Sequence, residues 1–111
     1  MSKIRRATKE EISQVLRRGH RLDSPLFTLR ITSLPKGPSA VAVVVSKRVA
    51  RQAVVRNTLE RRGRELLRKG LQGATPRLVL LEWRKGAAEA PRQAIAREVA
   101  EKLQQDTITR C

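Results

Sequence analysis

The chain has 111 residues, 40% of them hydrophobic, enough for one modest core and too many for a disordered polymer. Its 25 Lys and Arg against 10 Asp and Glu leave a formal charge of +15, which points to a polyanionic partner. No apolar run approaches the ~20 residues of a membrane span, the Met1–Arg6 start lacks a secretory apolar region, and the single cysteine, Cys111, rules out an internal disulfide or a cysteine metal cluster. A cytoplasmic protein with one RNA- or DNA-binding domain over residues 1–111 is therefore expected.

Thr8-Lys9-Glu10-Glu11 has the spacing of a capping box, with Thr8 as N-cap and glutamate three residues on. Ile12, Val15 and Leu16 follow at helical spacing, and Gly19 lies where that helix should stop. Asp23-Ser24-Pro25 marks a turn. Leu26–Thr32 then alternates, with Phe27, Leu29 and Ile31 on one face and Thr28, Arg30 and Thr32 on the other, so it predicts a half-buried strand. Pro35–Pro38 reads as a hairpin-like loop and makes the next strand antiparallel to this one. Ala40–Val45 is continuously apolar and predicts a central strand covered on both faces. A basic helix is expected from Val49 or Ala50 to Lys69, closed by Gly70 and Gly73. Gly63 inside it costs about 1 kcal/mol relative to alanine. Leu78–Leu81 within Arg77–Trp83 gives a second buried strand. Pro91 suits the first position of a last helix, whose apolar side is Ile95, Val99 and Leu103. The order αββαβα, with a β–α–β unit around the basic helix, predicts an α+β fold, a small α/β sandwich.

The charge is concentrated. Ser46–Gly70 holds nine Lys and Arg against Glu60 and Glu65, a net +7, while residues 86–111 sum to zero. A solvated charged helix would account for an ordinary charge run, but this excess is of one sign and poorly balanced. Val55, Leu59 and Leu66 recur at helical spacing within it, so the segment can dock on a core and still present cations to phosphates. Groups for catalysis are scarce. His20 is the only histidine and falls just past a helix end, where a surface or capping role suffices. Asp23 and Glu82 near the strands read as solvated charges, and no nucleotide-binding or metal-ligand motif is present. With only Phe27 and Trp83 as aromatics, recognition of phosphates and shape should outweigh base stacking. Phe27 shares its face with Leu29 and Ile31 and reads as core. Trp83 fits either the rim of the core or a stacking surface. Sequence-specific DNA readout by a helix-turn-helix is disfavoured, because no turn signal precedes Asn57.

The run Val45-Ser46-Lys47-Arg48, then Ala53-Val54-Val55-Arg56-Asn57, then Arg61 and Arg64-Glu65, resembles the signature of the bacterial ribonuclease P protein subunit. That resemblance implies an α/β sandwich with a rare left-handed β–α–β crossover. It also implies a protein with no active site of its own, the partner of a catalytic RNA that cuts precursor tRNA at the mature 5′ end with magnesium ions. Mg2+ would sit at the interface of RNA, protein and substrate, with no dedicated protein site. By position, Arg56, Asn57, Arg61 and Arg64 would hold the ribonuclease P RNA, with Lys47, Arg48, Arg51 and Arg68 beside them. Ile12, Leu16, Phe27 and Arg30 would line a cleft for the 5′ leader. A structured-RNA-binding or ribosome-associated protein without a processing role is the alternative.

The chain departs from the family pattern at several places. Thr58 stands for the second arginine of the Arg-Asn-Arg core and Glu60 for a lysine. Arg62 and Gly63 occupy apolar helix positions, and Ile12, Leu16 and Arg30 replace aromatics of the leader cleft. Little stacking on leader bases is therefore expected.

Overall fold

The computed structural model describes residues 4–72 and 76–110, with side chains to residue 105; Gly73 and Cys111 lie outside the described residues. The strands are β1 (Arg5–Arg6), β2 (His20–Asp23), β3 (Phe27–Ser33), β4 (Ala40–Val44) and β5 (Arg77–Trp83). The helices are α1 (Lys9–Arg18), α2 (Ala53–Gly70) and α3 (Arg92–Arg110), with one 3-10 turn at Ala87–Glu89. The five strands form one mixed sheet in the order β1-β4-β5-β3-β2. β4 and β5 are adjacent and parallel, joined through α2, while β5 pairs antiparallel with β3. The expected α+β sandwich is thus present, with α1 on one face of the sheet and α2 and α3 on the other.

Strand alternation assigns the two faces. Phe27, Leu29, Ile31, Val41, Val79, Leu81 and Trp83 pack with Leu59 and Leu67 of α2 and with Ile95, Val99 and Leu103 of α3. The opposite residues Ala40, Leu78 and Leu80 pack under Val15 of α1 in a second, smaller core. Burying a leucine side chain contributes roughly 1.5–3 kcal/mol, against about 0–1 for an exposed ion pair, so Leu59 and Leu67 hold α2 in place and its arginines do not.

Three expectations about the sheet need correction. β1 and β2 were not anticipated: each is short and polar, and only Leu22 of β2 packs against the core. Pro35–Pro38 does not close a hairpin. β3 and β4 run in opposite directions, but β5 lies between them, because its Leu78–Leu81 run is buried on both faces and takes the centre. β4 is covered on both faces only over its first half, and Val44 is 39% exposed. Two helix starts also shift. α3 begins at Arg92, so Pro91 precedes the helix and its carbonyl accepts from the Ile95 amide at 3.2 Å. α2 begins at Ala53, because a turn on the Ser46 carbonyl, accepting from Val49 and Ala50, holds the preceding residues outside the helix.

α1 is fixed by the expected capping box. Thr8 N–H donates to Glu11 Oε1 at 3.0 Å, and Glu11 N–H donates to Thr8 Oγ1 at 3.2 Å. Arg5 adds a two-pronged bond to the same carboxylate, at 2.7 and 2.6 Å, tying β1 to α1. Hydrogen bonds from Arg5 and from the Thr8 backbone hold the Glu11 carboxyl down to about 2, so the tie is ionised at neutral pH.

Gly63 explains itself in this packing. A Cβ at that position would lie 2.9 Å from both Leu81 Cδ2 and Val43 Cγ1, so the absent side chain lets α2 settle onto β4 and β5. Close by, Trp83 Nε1 donates to the Leu59 carbonyl at 2.8 Å, a bond that depends on the same close approach. Helix propensity alone favours alanine here by about 1 kcal/mol, while overpacking costs typically 1–3 kcal/mol. Gly63→Ala should therefore lower the thermal unfolding midpoint, and Val43→Ala in the same chain should recover part of the loss. An unchanged or raised midpoint for Gly63→Ala would show that the contact is slack.

Candidate nucleic-acid interface

With Leu59, Gly63 and Leu67 turned to the sheet, the remaining faces of α2 carry its cations. Two grooves flank the helix. One, of about 360 Å³, lies between α2 and the start of the chain and is lined by Arg5, Arg6, Arg61, Arg64 and Arg68. The other, of about 270 Å³, lies between α2 and α3 and brings Arg61, Arg62, Lys69 and Arg92 around Leu66 and Ala96. Arg61 and Glu65, one helical turn apart, line both, so they form a ridge between two cationic channels. Such channels match phosphate backbones, which bind cations with little regard to sequence.

Of the expected RNA-binding set, Arg61, Arg64 and Arg68 share one groove. Asn57 is exposed on the first half of α2. Lys47, Arg48 and Arg51 are exposed on the segment before α2 and not within it. Arg56 is partly turned inward: its Nη1 donates to the carbonyls of Ala50 and Arg51, at 3.1 and 2.7 Å. It therefore shapes the loop that carries the other three cations. The two family departures in α2 also acquire geometry. Glu60 pairs with Arg64 at 3.6 Å, one turn along the exposed helix, and tempers it. Thr58 donates its hydroxyl to the Val54 carbonyl at 3.0 Å, so it makes a local bond where a cation was expected.

Arg5, Arg6 and Arg92 were missed from the sequence. Arg5 and Arg6 belong to the basic first segment, but only the parallel pairing of β1 with β4 brings them beside α2. Arg92 sits in a segment of zero net charge, where composition gives no signal.

The other sheet face is different in kind. Across it, Ala42, Leu80, Arg30 and Arg21 stand in one row and Val44, Glu82, Thr28 and Asp23 in the next. α1 packs through Val15 on Leu78 and Leu80, and leaves the second row largely uncovered at Val44 and Glu82. Leu16 on α1 is 49% exposed, and Ile12 is half-buried. Asp23 accepts from Arg21 Nε at 2.9 Å and from Thr28 Oγ1 at 3.0 Å, and these bonds hold its carboxyl below the usual range. Ile12, Leu16 and Arg30 thus belong to elements on this face. Phe27 does not. Its side chain is 0% exposed on the opposite face, edge-on to Trp83 with ring centroids 6.2 Å apart, because strand alternation places it with Leu29 and Ile31. Phe27 therefore does not line the cleft, as the resemblance implied, and both aromatics are core.

A sequence profile of the ribonuclease P family matches residues 2–106. The chain belongs to the ribonuclease P protein family. It is the protein component of a ribonucleoprotein endonuclease of tRNA processing, and RNA is its class of partner. The fold agrees with solved structures. A mutant of the Staphylococcus aureus RNase P protein with defective mRNA degradation activity superposes with a TM-score of 0.79 at 17% identity, covering 93% of this chain and 87% of that one. The RNase P protein from Thermotoga maritima superposes with a TM-score of 0.77 at 20% identity, covering 90% of this chain and 96% of that one.

The two kinds of arginine on α2 should separate experimentally. Arg64→Ala with Arg68→Ala should reduce the slope of log affinity against log salt for a structured RNA by about 1–2, with little change in thermal stability. Arg56→Ala should instead speed proteolysis within residues 46–52. Fluorescence anisotropy across a salt series and limited proteolysis give the two readouts. An unchanged slope in the double variant would move the clamp elsewhere.

Proposed function

We propose that the two faces divide the work of the holoenzyme. The α2 side, with its two cationic grooves, holds the ribonuclease P RNA; the α1 side takes the single-stranded 5′ leader of precursor tRNA. The observation that supports this division most directly is the asymmetry of the faces. Cations crowd around α2, while on the α1 side Leu16 of the helix and Val44 and Glu82 of the uncovered row are exposed, a half-apolar surface suited to a strand with exposed bases.

In this proposal the chain supplies binding and orientation, and the RNA carries the cleavage. Arg6, Arg61, Arg64 and Arg68 neutralise phosphates that would otherwise repel one another where catalytic RNA and substrate meet. Clamping the leader adds contacts that the tRNA body alone lacks and holds the scissile bond in register. Magnesium ions at that junction would be held by the RNA and its substrate. Among the described residues no three His, Cys, Asp or Glu side chains come together, and no step is assigned to a protein-held ion.

Reconstitution tests the proposal. Protein mixed with a bacterial ribonuclease P RNA should restore 5′ processing of precursor tRNA at a magnesium concentration too low for the RNA alone. Affinity should also rise with leader length. RNA binding without rescue of cleavage would favour a structured-RNA-binding role without processing.

A further inference from the structure

Glu82 is anomalous on this surface. It stands on the central strand β5, flanked across the sheet by Val44 and Thr28, in the row that α1 leaves open. The chain carries 25 Lys and Arg, yet among the described residues the Glu82 carboxylate makes no hydrogen bond or ion pair. A free carboxylate beside a polyanion is repelled by phosphate and can only accept hydrogen bonds. The other acid of the row, Asp23, is already engaged by Arg21 and Thr28.

Arg30 is its complement. Thr28 pairs with Glu82 and Arg30 with Leu80, so Arg30 and Glu82 are diagonal neighbours on one face, within reach of long side chains. They are not joined in an ion pair. Arg30 has no partner among the described residues either, and its Nε is buried without a hydrogen bond. A donor fork and an acceptor pair therefore stand in adjacent rows of one face, Glu82 exposed in the open row and Arg30 half-buried beside it, neither satisfied.

The geometry points to a guanine-binding subsite: Glu82 accepts from N1–H and N2–H of one leader guanine, and Arg30 donates to its O6. Guanine is the base whose Watson–Crick edge offers two adjacent donors to one carboxylate, next to an acceptor. Cytosine and adenine each present a single amino group beside a ring acceptor, and uracil a single N–H between two carbonyls. A two-pronged, charge-assisted contact discriminates among bases where stacking surfaces are lacking. Val44, 39% exposed at the edge of the row, offers an apolar face for the same base. This inference rests on the leader occupying the α1 face, as proposed above.

The test uses the holoenzyme and precursor tRNAs in which each leader position is changed in turn to G, A, C or U. At one position guanine should bind about tenfold tighter than the other three bases. Glu82→Gln offers one acceptor in place of two and should abolish that preference, lowering affinity for the guanine substrate alone. Its thermal midpoint should match the parent, since the side chain is exposed and unpartnered. Arg30→Met should weaken the same preference. Equal affinity for all four bases at every position, or a guanine preference that survives Glu82→Gln, overturns the subsite. So does an equal loss for all bases in Glu82→Gln, which would place the carboxylate against the sugar or a hydrated cation. If affinity does not depend on leader length at all, the assignment of the leader to this face falls first, and the subsite with it.

Discussion

The approach of α2 to the sheet at Gly63 is the contact on which the rest depends. A helix carrying this much positive charge gains little from its own surface and resists crowding of its arginines. It stays in place because Leu59 and Leu67 are buried and because no Cβ at residue 63 holds it off Val43 and Leu81. That proximity lets Trp83 reach the Leu59 carbonyl, and it sets the depth of the grooves on either flank. A helix standing a fraction of an ångström higher would carry the same charges with a different spacing between Arg61 and the Arg5–Arg6 strand.

From that docking follows a separation of chemistries. The face under α2 and α3 is buried and aromatic inside, with Phe27 and Trp83 taken up in packing. The face under α1 has a smaller core and an open row, where polar groups remain for a ligand. The short edge strands serve this division as well. β1 carries Arg5 and Arg6 to α2 while the Arg5–Glu11 tie fixes it to α1, and β2 brings Arg21 to neutralise Asp23. Acidic residues are thus placed individually: Glu11 tied, Asp23 neutralised, Glu60 paired with Arg64, and Glu82 left free.

Much of the fold was legible because its signals are periodic and local. The Thr8 capping box, the alternation of Phe27–Ile31, the Leu78–Leu81 run and the Ile95–Val99–Leu103 stripe each predict an element that the structure contains. Strand order was not, since nothing local tells that β5 inserts between β3 and β4. β1 and β2 escaped because an edge strand of two to four polar residues is defined by its neighbours. Arg61, Arg64 and Arg68, which the family resemblance grouped by position, line one groove, whereas Arg56 bends back to loop carbonyls that no pattern reveals. Phe27 shows the conflict most plainly: its own alternation placed it in the core, and only the family pattern placed it in the cleft. Gly63 looked like a defect of the helix and is its point of contact.

The central claim is that one RNA lies on the α2 side and another on the α1 side of the same sheet. A short photo-crosslinker on a single introduced cysteine, at Val44→Cys or at Val54→Cys with Cys111→Ser in both, probes it in the assembled complex with precursor tRNA. Val44 is on the open row, and Val54 is exposed on the first turn of α2. The account predicts that the Val44 probe joins the 5′ leader and the Val54 probe joins the ribonuclease P RNA. Both probes joining the same RNA segment, or the Val44 probe failing to reach the leader, would contradict it.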